Sequence, residues 1–334
     1  MNHSRLGLLL GASVAVSPLA MDGYLPAFPE IARTCGVSGH AVGFSVAIYL
    51  LGLAVGHLIG GPLSDRYGRQ RIMLGGLVIF VAGSVLLAFR ASFSWLLAWR
   101  GLQALGGGFC VVSVPAIARD HTSGTEAARL FSLISLVTFI APATAPTIGT
   151  GILQVTPWPG IFLFMAGYAG ALALLLRATL FRSYPHPPGG PAPLHTLLTN
   201  YLQVLRNPTA MRLLGVQALV FSVLMVFITH ASFIFQDWYG LSKPTFSLIM
   251  AANVIVMAGF NLSNRRLLRR WSPAVILRGT VLLQTAALLY LLAVAYTAPR
   301  LELFLPGLVV GVGCFGAGMP NTFSLFLEFF REIA

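Results

Sequence analysis

Apolar runs long enough to fill a bilayer alternate with short polar breaks along this chain. AVGFSVAIYLLGLAVGHLIG is followed by GPLSDRYGRQR at Gly61 to Arg71, and then by IMLGGLVIFVAGSVLLAF. About 20 apolar residues in a helix cross the roughly 30 Å hydrocarbon core. The pattern predicts about ten such spans. They run Leu6 to Ala27, Ala41 to Leu63, Ile72 to Phe89, Trp95 to Ala118, Leu130 to Leu153, Trp158 to Leu180, Leu213 to Phe235, Phe246 to Leu267, Ala274 to Tyr296 and Leu303 to Phe326. Helices are expected because no other open structure satisfies its own backbone inside lipid. The first run has Arg5 before it, no clean small-residue cleavage site, and Asp22, Pro26 and Pro29 toward its end. It reads as an uncleaved helix and not as a signal peptide.

The longest break, Phe181 to Arg212, is rich in proline and glycine and reads as a linker. The expected organisation is therefore a first helical bundle over 1–180, a cytoplasmic linker over 181–212 and a second bundle over 213–334. LSDR at Leu63 to Arg66 is echoed by LSNR at Leu262 to Arg265, each at the end of the second span of its half. RGLQALGGGF at Arg100 to Phe109 is echoed by PGLVVGVGCF at Pro306 to Phe315. The echoes suggest a duplicated six-helix unit whose second copy is shorter by two helices.

Composition narrows the class. The chain is 57% hydrophobic and only 9% charged, against roughly 25% charged in a soluble domain, so it is a polytopic membrane protein. Cys35, Cys110 and Cys314 lie far apart in or beside apolar runs and suggest neither disulfides nor a metal site. The net charge of +12 has a membrane explanation. With the N-terminus inside, nearly all arginines, Arg66, Arg69, Arg71, Arg265, Arg266, Arg269 and Arg270 among them, face the cytoplasm; only Arg33, Arg90, Lys243 and Arg300 fall outside. Such residues face anionic lipid, so no nucleic-acid partner is implied. The sole lysine, Lys243, has no G-x-x-x-x-G-K-[ST] around it, which excludes an ATP-driven pump by motif. Gly106, Gly107 and Gly108 read as close helix packing, not as a phosphate loop.

In the polar break, Asp65 is placed to accept N–H groups at the start of the next helix, and Gly61 and Gly68 to permit close packing and a turn. Arg66, Arg69 and Arg71 can pair with Asp65, grip phosphate head groups or hold the end of a neighbouring helix. A plain positive-inside anchor would account for the arginines and leave Asp65 and Gly68 unused, so the break reads as a cytoplasmic latch. Inside the membrane, charge is costly and marks a pathway or a partner. Asp22 and Arg100 each fall about five residues from the outer end of their spans, roughly 8 Å deep, which makes an ion pair geometrically feasible. Gln103, at i+3 from Arg100, shares its face and can bond the same carboxylate or a substrate. A carboxylate that protonates when desolvated is the simplest proton carrier; a structural pair or helix cap is the other reading of Asp22. Histidine is the side chain whose ordinary range lies near neutral pH, which makes His57 and His230 candidates, although a lone membrane histidine more often packs or hydrogen-bonds. No nucleophile and base arrangement or metal cluster points to an enzyme.

GPLSDRYGRQRIML is similar to the G-x-L-x-D-R-x-G-R-x-x-x-L loop signature of the major facilitator superfamily. MDGYLPAFPEIA, WRGLQALGGG and PAIARDHTSGTEAARLFSL resemble the first-helix, fourth-helix and following-loop elements of its bicyclomycin/chloramphenicol-resistance (Bcr/CflA) drug efflux subfamily. APATAPTIGTGIL resembles the fifth-helix antiporter element, with Pro142, Pro146 and Gly149 present and Ala145 and Thr150 where glycine is preferred. The resemblance implies an all-α membrane fold of two six-helix bundles, here with about ten helices and a truncated second bundle. It implies a monomeric multi-pass protein of the cell inner membrane that exports small amphipathic or uncharged drugs or metabolites by alternating access, without a cofactor, in exchange for protons. Asp22 and Arg100 would couple the proton, and Tyr24, Tyr49, Gln103, Gln217, Phe221, Asn253 and Asn261 would line the cavity. The alternatives are a facilitator or proton symporter for a small metabolite, or a truncated inactive form, since SLFLEFFREIA does not resemble the usual run into an eleventh helix.

Overall fold

The computed structural model describes residues 3–89, 92–122, 124–183, 202–297 and 300–330. Among them there is no strand. Most of the expected linker, Arg90, Arg331 and the side chain of Arg129 lie outside the described residues. Nine helical segments of the described residues are long and apolar enough to cross a membrane. The expected span Leu130 to Leu153 falls within a further helix of 30 residues.

In chain order the helices are α1 (His3–Asp22), α2 (Phe28–Cys35), α3 (Gly39–Tyr67), α4 (Arg69–Leu87), α5 (Phe93–His121), α6 (Gly124–Leu153) and α7 (Pro159–Ala178). They continue with α8 (Pro208–Ser232), which runs on into a π turn at Phe233–Trp238, then α9 (Lys243–Leu267), α10 (Pro273–Thr297), α11 (Leu301–Gly313) and α12 (Phe315–Phe330). Side chains punctuate the sequence where expected of caps. Ser38 Oγ accepts from Ala41 N at the start of α3, and Ser92 Oγ accepts from Trp95 N at the start of α5. Asn207 Oδ1 accepts from the N–H groups of Thr209 and Ala210 just ahead of α8, with Pro208 at the first helical position.

The first span corrects the reading of Asp22. The helix does not run unbroken to Ala27: α1 stops at Asp22, a single 3₁₀ turn follows at Leu25–Ala27, and α2 carries the span on to Cys35. Pro26 and Pro29 cause the restart, since each lacks an N–H and each sits in the first turn of the element it opens. Asp22 therefore lies at a helix break within the span, not five residues from its end.

The chain divides into two compact units. One holds α1 to α7 together with Ser232–Ser247; the other holds the rest of α8 and α9 with α10 to α12. In the first unit α5 packs against α3 and α4, α1 packs against α6, α5 and α7, and α4 against α7. The glycine run serves close approach, as expected: a Cβ on Gly106 would meet the backbone of Gly76 and Phe80, and one on Gly108 that of Gly56. In the second unit α10 packs on α11 and α12, and the break between these two falls at Cys314. Large apolar side chains such as Leu58, Leu174 and Leu282 lie exposed, which suits lipid and not water.

Candidate functional site

The most polar part of the first unit's interior forms around the break after α1. Arg100, on α5, is fully buried, as are Tyr24 and Tyr49. Its guanidinium carbon lies 4.2 Å from the centre of the Tyr24 ring and 4.4 Å from that of Tyr49, with Phe162 at 5.8 Å. Aromatic faces attract a planar cation, and the attraction grows when water is excluded. Hydrogen bonds fix the cage. Tyr24 Oη meets Ser45 Oγ at 2.7 Å, and Tyr49 Oη meets Ser17 Oγ at 3.2 Å. Arg100 Nη1 donates to Gln103 Oε1 at 2.6 Å and to the carbonyl of Ala20, in the last turn of α1, at 3.2 Å. Gln103 Nε2 donates in turn to Ser84 Oγ at 2.7 Å.

Asp22 is 4% exposed and feels the charge of Arg100, yet the two make no ion pair within 4.0 Å among the described residues. Asp22 Oδ1 is buried without a hydrogen-bond partner, and so are Arg100 Nε and Nη2. Gln103 bonds the guanidinium, and not the carboxylate or substrate expected from its shared face with Arg100. Physically, the cage explains the separation: two ring faces hold the cation, and the end of α1 supplies a carbonyl where a cation is favoured. Three buried polar atoms are left without a protein partner, an arrangement that costs free energy and is retained where a site needs it.

Helix α6 closes on the same place. A Cβ on Gly149 would collide with the carbonyl of Gly23, the residue after Asp22. Thr150, where the antiporter element prefers glycine, meets Ser247 Oγ at 2.8 Å, and Ser247 Oγ donates to the carbonyl of Pro146 at 3.2 Å. Pro142 and Pro146 both lie inside α6.

The other candidates do not take part in the contacts of this cage. Gln217, Phe221, Asn253 and Asn261 belong to the second unit. Asn261 Nδ2 donates to the Gly316 carbonyl at 3.1 Å, and Phe221 packs on Phe315 with ring centres 5.8 Å apart. Gln217 Oε1 and Asn253 Oδ1 are buried without partners, while Asn253 Nδ2 returns to Ile249 O. His57 is exposed on α3, and His230 Nδ1 contacts the carbonyl of Val226 on its own helix.

In the loop GPLSDRYGRQR, Arg69 does what one of its expected alternatives required. It donates to the Ala116 carbonyl at 2.6 Å and pairs with Asp120, both near the end of α5. Asp65 is exposed and does not cap α4; Gly68, with φ 93° and ψ 137°, stands at the cap position, and no side chain bonds there. That backbone conformation is one only glycine adopts without strain. Gly61 faces Val112, Arg66 lies over the Tyr67 ring at 5.4 Å, and Arg71 is exposed. Asp120, Ser17, Ser45, Ser84, Phe162 and Ser247 were not anticipated. Small hydroxyl residues interrupting apolar spans were the available signal.

An all-helical membrane protein with a caged intramembrane arginine beside a buried carboxylate has the makings of a transporter. Residues 10–334 match the family model of the Major Facilitator Superfamily, and the chain belongs to that family. It is similar to the uncharacterized MFS-type transporter YdgK of Bacillus subtilis, 28% identical over 97% of this chain and 81% of that one. Multidrug resistance protein MdtL of Klebsiella pneumoniae is likewise 28% identical, over 97% of this chain and 82% of its own. A bicyclomycin resistance protein homolog of Haemophilus influenzae is 26% identical over 94% and 78%. These relatives agree with the resemblance to the Bcr/CflA drug efflux subfamily. Among solved structures, a bacterial homolog of the human lysosomal transporter Spinster superposes with a TM-score of 0.78 at 18% identity, covering 97% of this chain and 74% of the other. The xylose transporter XylE of E. coli gives 0.68 at 15% identity, covering 97% and 82%. At such identities the two structures establish the shared fold.

Proposed function

We propose that this chain is a proton-coupled antiporter that exports small amphipathic or uncharged drugs, with Asp22 as the proton carrier and Arg100 as the group that sets its affinity for the proton. The observation that carries the reading is the set of unsatisfied buried atoms: Asp22 Oδ1 on one side, Arg100 Nε and Nη2 on the other. The proton binds at the Asp22 carboxylate, which is costly to keep charged while desolvated. Loss of that proton leaves a carboxylate in the field of a cation that has no acidic partner within 4.0 Å among the described residues. Tyr24, Tyr49 and Gln103 hold the guanidinium so that its free N–H groups stay available. Relatives named for multidrug and bicyclomycin resistance support drugs as the cargo.

On this reading Gln217, Phe221, Asn253 and Asn261 offer aromatic and amide contacts to substrate, Pro142, Pro146 and Gly149 shape the helix that closes on Asp22, and Arg69 with Gly61, Asp65, Arg66, Gly68 and Arg71 forms a cytoplasmic latch. The N-terminus is cytoplasmic, the membrane is the inner one, and the working unit is a monomer of two bundles, 1–180 and 213–334, joined by 181–212. Export of chloramphenicol and of a fluorescent amphipathic cation from expressing cells tests the reading. Energy-dependent export that a proton uncoupler stops, and that Asp22→Asn removes, is expected. Full active export by Asp22→Asn would overturn the assignment, and gradient-driven accumulation instead of export would make the chain a symporter.

A further inference from the structure

A groove of about 380 Å³ opens within the second unit along α9 and α10, a volume in the range of small-molecule clefts. Phe260, Leu267, Val275 and Leu283 form its apolar wall, with Trp271 at one end. Its buried polar residues, Asn264 and Thr280, are already satisfied: Asn264 Oδ1 accepts from Asn321, and Thr280 Oγ1 donates to Ile276 O. From Val275 to Leu283 the groove follows α10 for about 12 Å, close to the roughly 15 Å depth of one leaflet's hydrocarbon.

The chain on either side of Trp271 is strongly basic. Arg265 and Arg266 lie in the last turn of α9, Arg269 and Arg270 in the connection that follows, and Arg278 in the second turn of α10, and all five are exposed. Asp237 and Glu302 bracket a stretch of sequence without a single acid. No carboxylate among the described residues pairs with these guanidiniums. In the first unit Arg69 is paired with Asp120, and a Cβ on Gly60 would meet Phe109 and Val112, whereas one on Gly259, which the LSDR and LSNR echo sets opposite it, would meet nothing within 4 Å. In the second unit a Cβ on groove-lining Gly279 would meet nothing within 4 Å.

We propose that this groove is a site for one anionic phospholipid, an acyl chain lying along α10 and the phosphate held by the α9–α10 arginines. An apolar wall of one leaflet's depth beside a run of exposed guanidiniums has the chemistry of such a lipid, and an interfacial tryptophan sits at the level where the two parts join. The inference is independent of proton coupling.

Native mass spectrometry of the purified full chain tests it, after delipidation and incubation with equal amounts of phosphatidylglycerol and phosphatidylcholine. The expected result is one retained phosphatidylglycerol, preferred on the order of tenfold. Replacing Arg265, Arg266, Arg269 and Arg270 together by glutamine should bring the preference near parity, at positions too exposed to decide folding. Gly279→Phe should remove the retained lipid with every charge in place. Equal retention of the two lipids by the wild-type chain, or a phosphatidylglycerol preference that survives both variants, would overturn the site.

Discussion

Arg100 shows how one side chain is held in a membrane interior without a carboxylate against it. Two tyrosine faces, the Gln103 amide and the Ala20 carbonyl hold its guanidinium, and each of these contacts depends on a planar fork. Arg100→Lys keeps the charge and loses the stacking, so the initial export rate should fall by about tenfold or more, consistent with the roughly 2 kcal/mol that a desolvated cation–π contact carries. A rate for Arg100→Lys equal to wild type would show that charge alone matters. A second residue-scale prediction concerns Arg69. Its pair with Asp120 is partly buried and is reinforced by the Ala116 carbonyl. Asp120→Asn and Arg69→Gln should each lower the thermal midpoint in detergent, and a double-mutant cycle should return a coupling of about 1 kcal/mol. Additive effects would mean that the pair contributes nothing.

The roles of these residues were partly legible in the sequence. A charge inside an apolar run is conspicuous, so Asp22 and Arg100 stand out from composition alone, and the i+3 spacing placed Gln103 on the same face. The cage was not legible. Tyr24 lies in the break after α1 and Tyr49 on α3, both far from Arg100 in sequence, and nothing in a linear pattern says which aromatic ring faces a cation. Asp65 misled because an acid before a helix resembles a cap; Gly68 takes the cap position instead, with a backbone conformation that leaves the acid in the open.

Among elements, the broken first span is the one that organises the site. A continuous helix would have carried Asp22 inside a regular hydrogen-bonded turn, whereas the restart at Pro26 places it at a helix end, where an arginine can reach the last-turn carbonyls. The prolines were visible in the sequence; whether they kink, end or restart a helix depends on the neighbours, here α6. Gly149 of that helix lies against the Gly23 carbonyl, so a side chain there must push α6 away from the break. Gly149→Val should destabilise the purified protein by about 1–3 kcal/mol or more and lower export with it, read as a fall in thermal midpoint. Wild-type stability and export in that variant would contradict the close contact. Thr150, a departure from the glycine of the family element, is used in a hydroxyl contact with Ser247 that only the folded chain reveals.

At the scale of the whole molecule, the membrane class, the helical content and the family follow from the length of the apolar runs and the polar signature between them. The family resemblance read in the loop, first-helix and fourth-helix motifs agrees with a match over residues 10–334. The substrate was least legible, because the aromatic and amide residues proposed to meet it specify size and polarity and not identity. The central claim is that export is exchanged for protons through Asp22. Its most direct measurement is pH inside proteoliposomes holding the purified chain and a pH-reporting dye, recorded as chloramphenicol is added on one side. Wild-type protein should move protons opposite to the drug, and Asp22→Asn should move drug down its gradient without any proton signal. An undiminished counterflow of protons in Asp22→Asn, or protons travelling with the drug in the wild-type chain, would contradict the account.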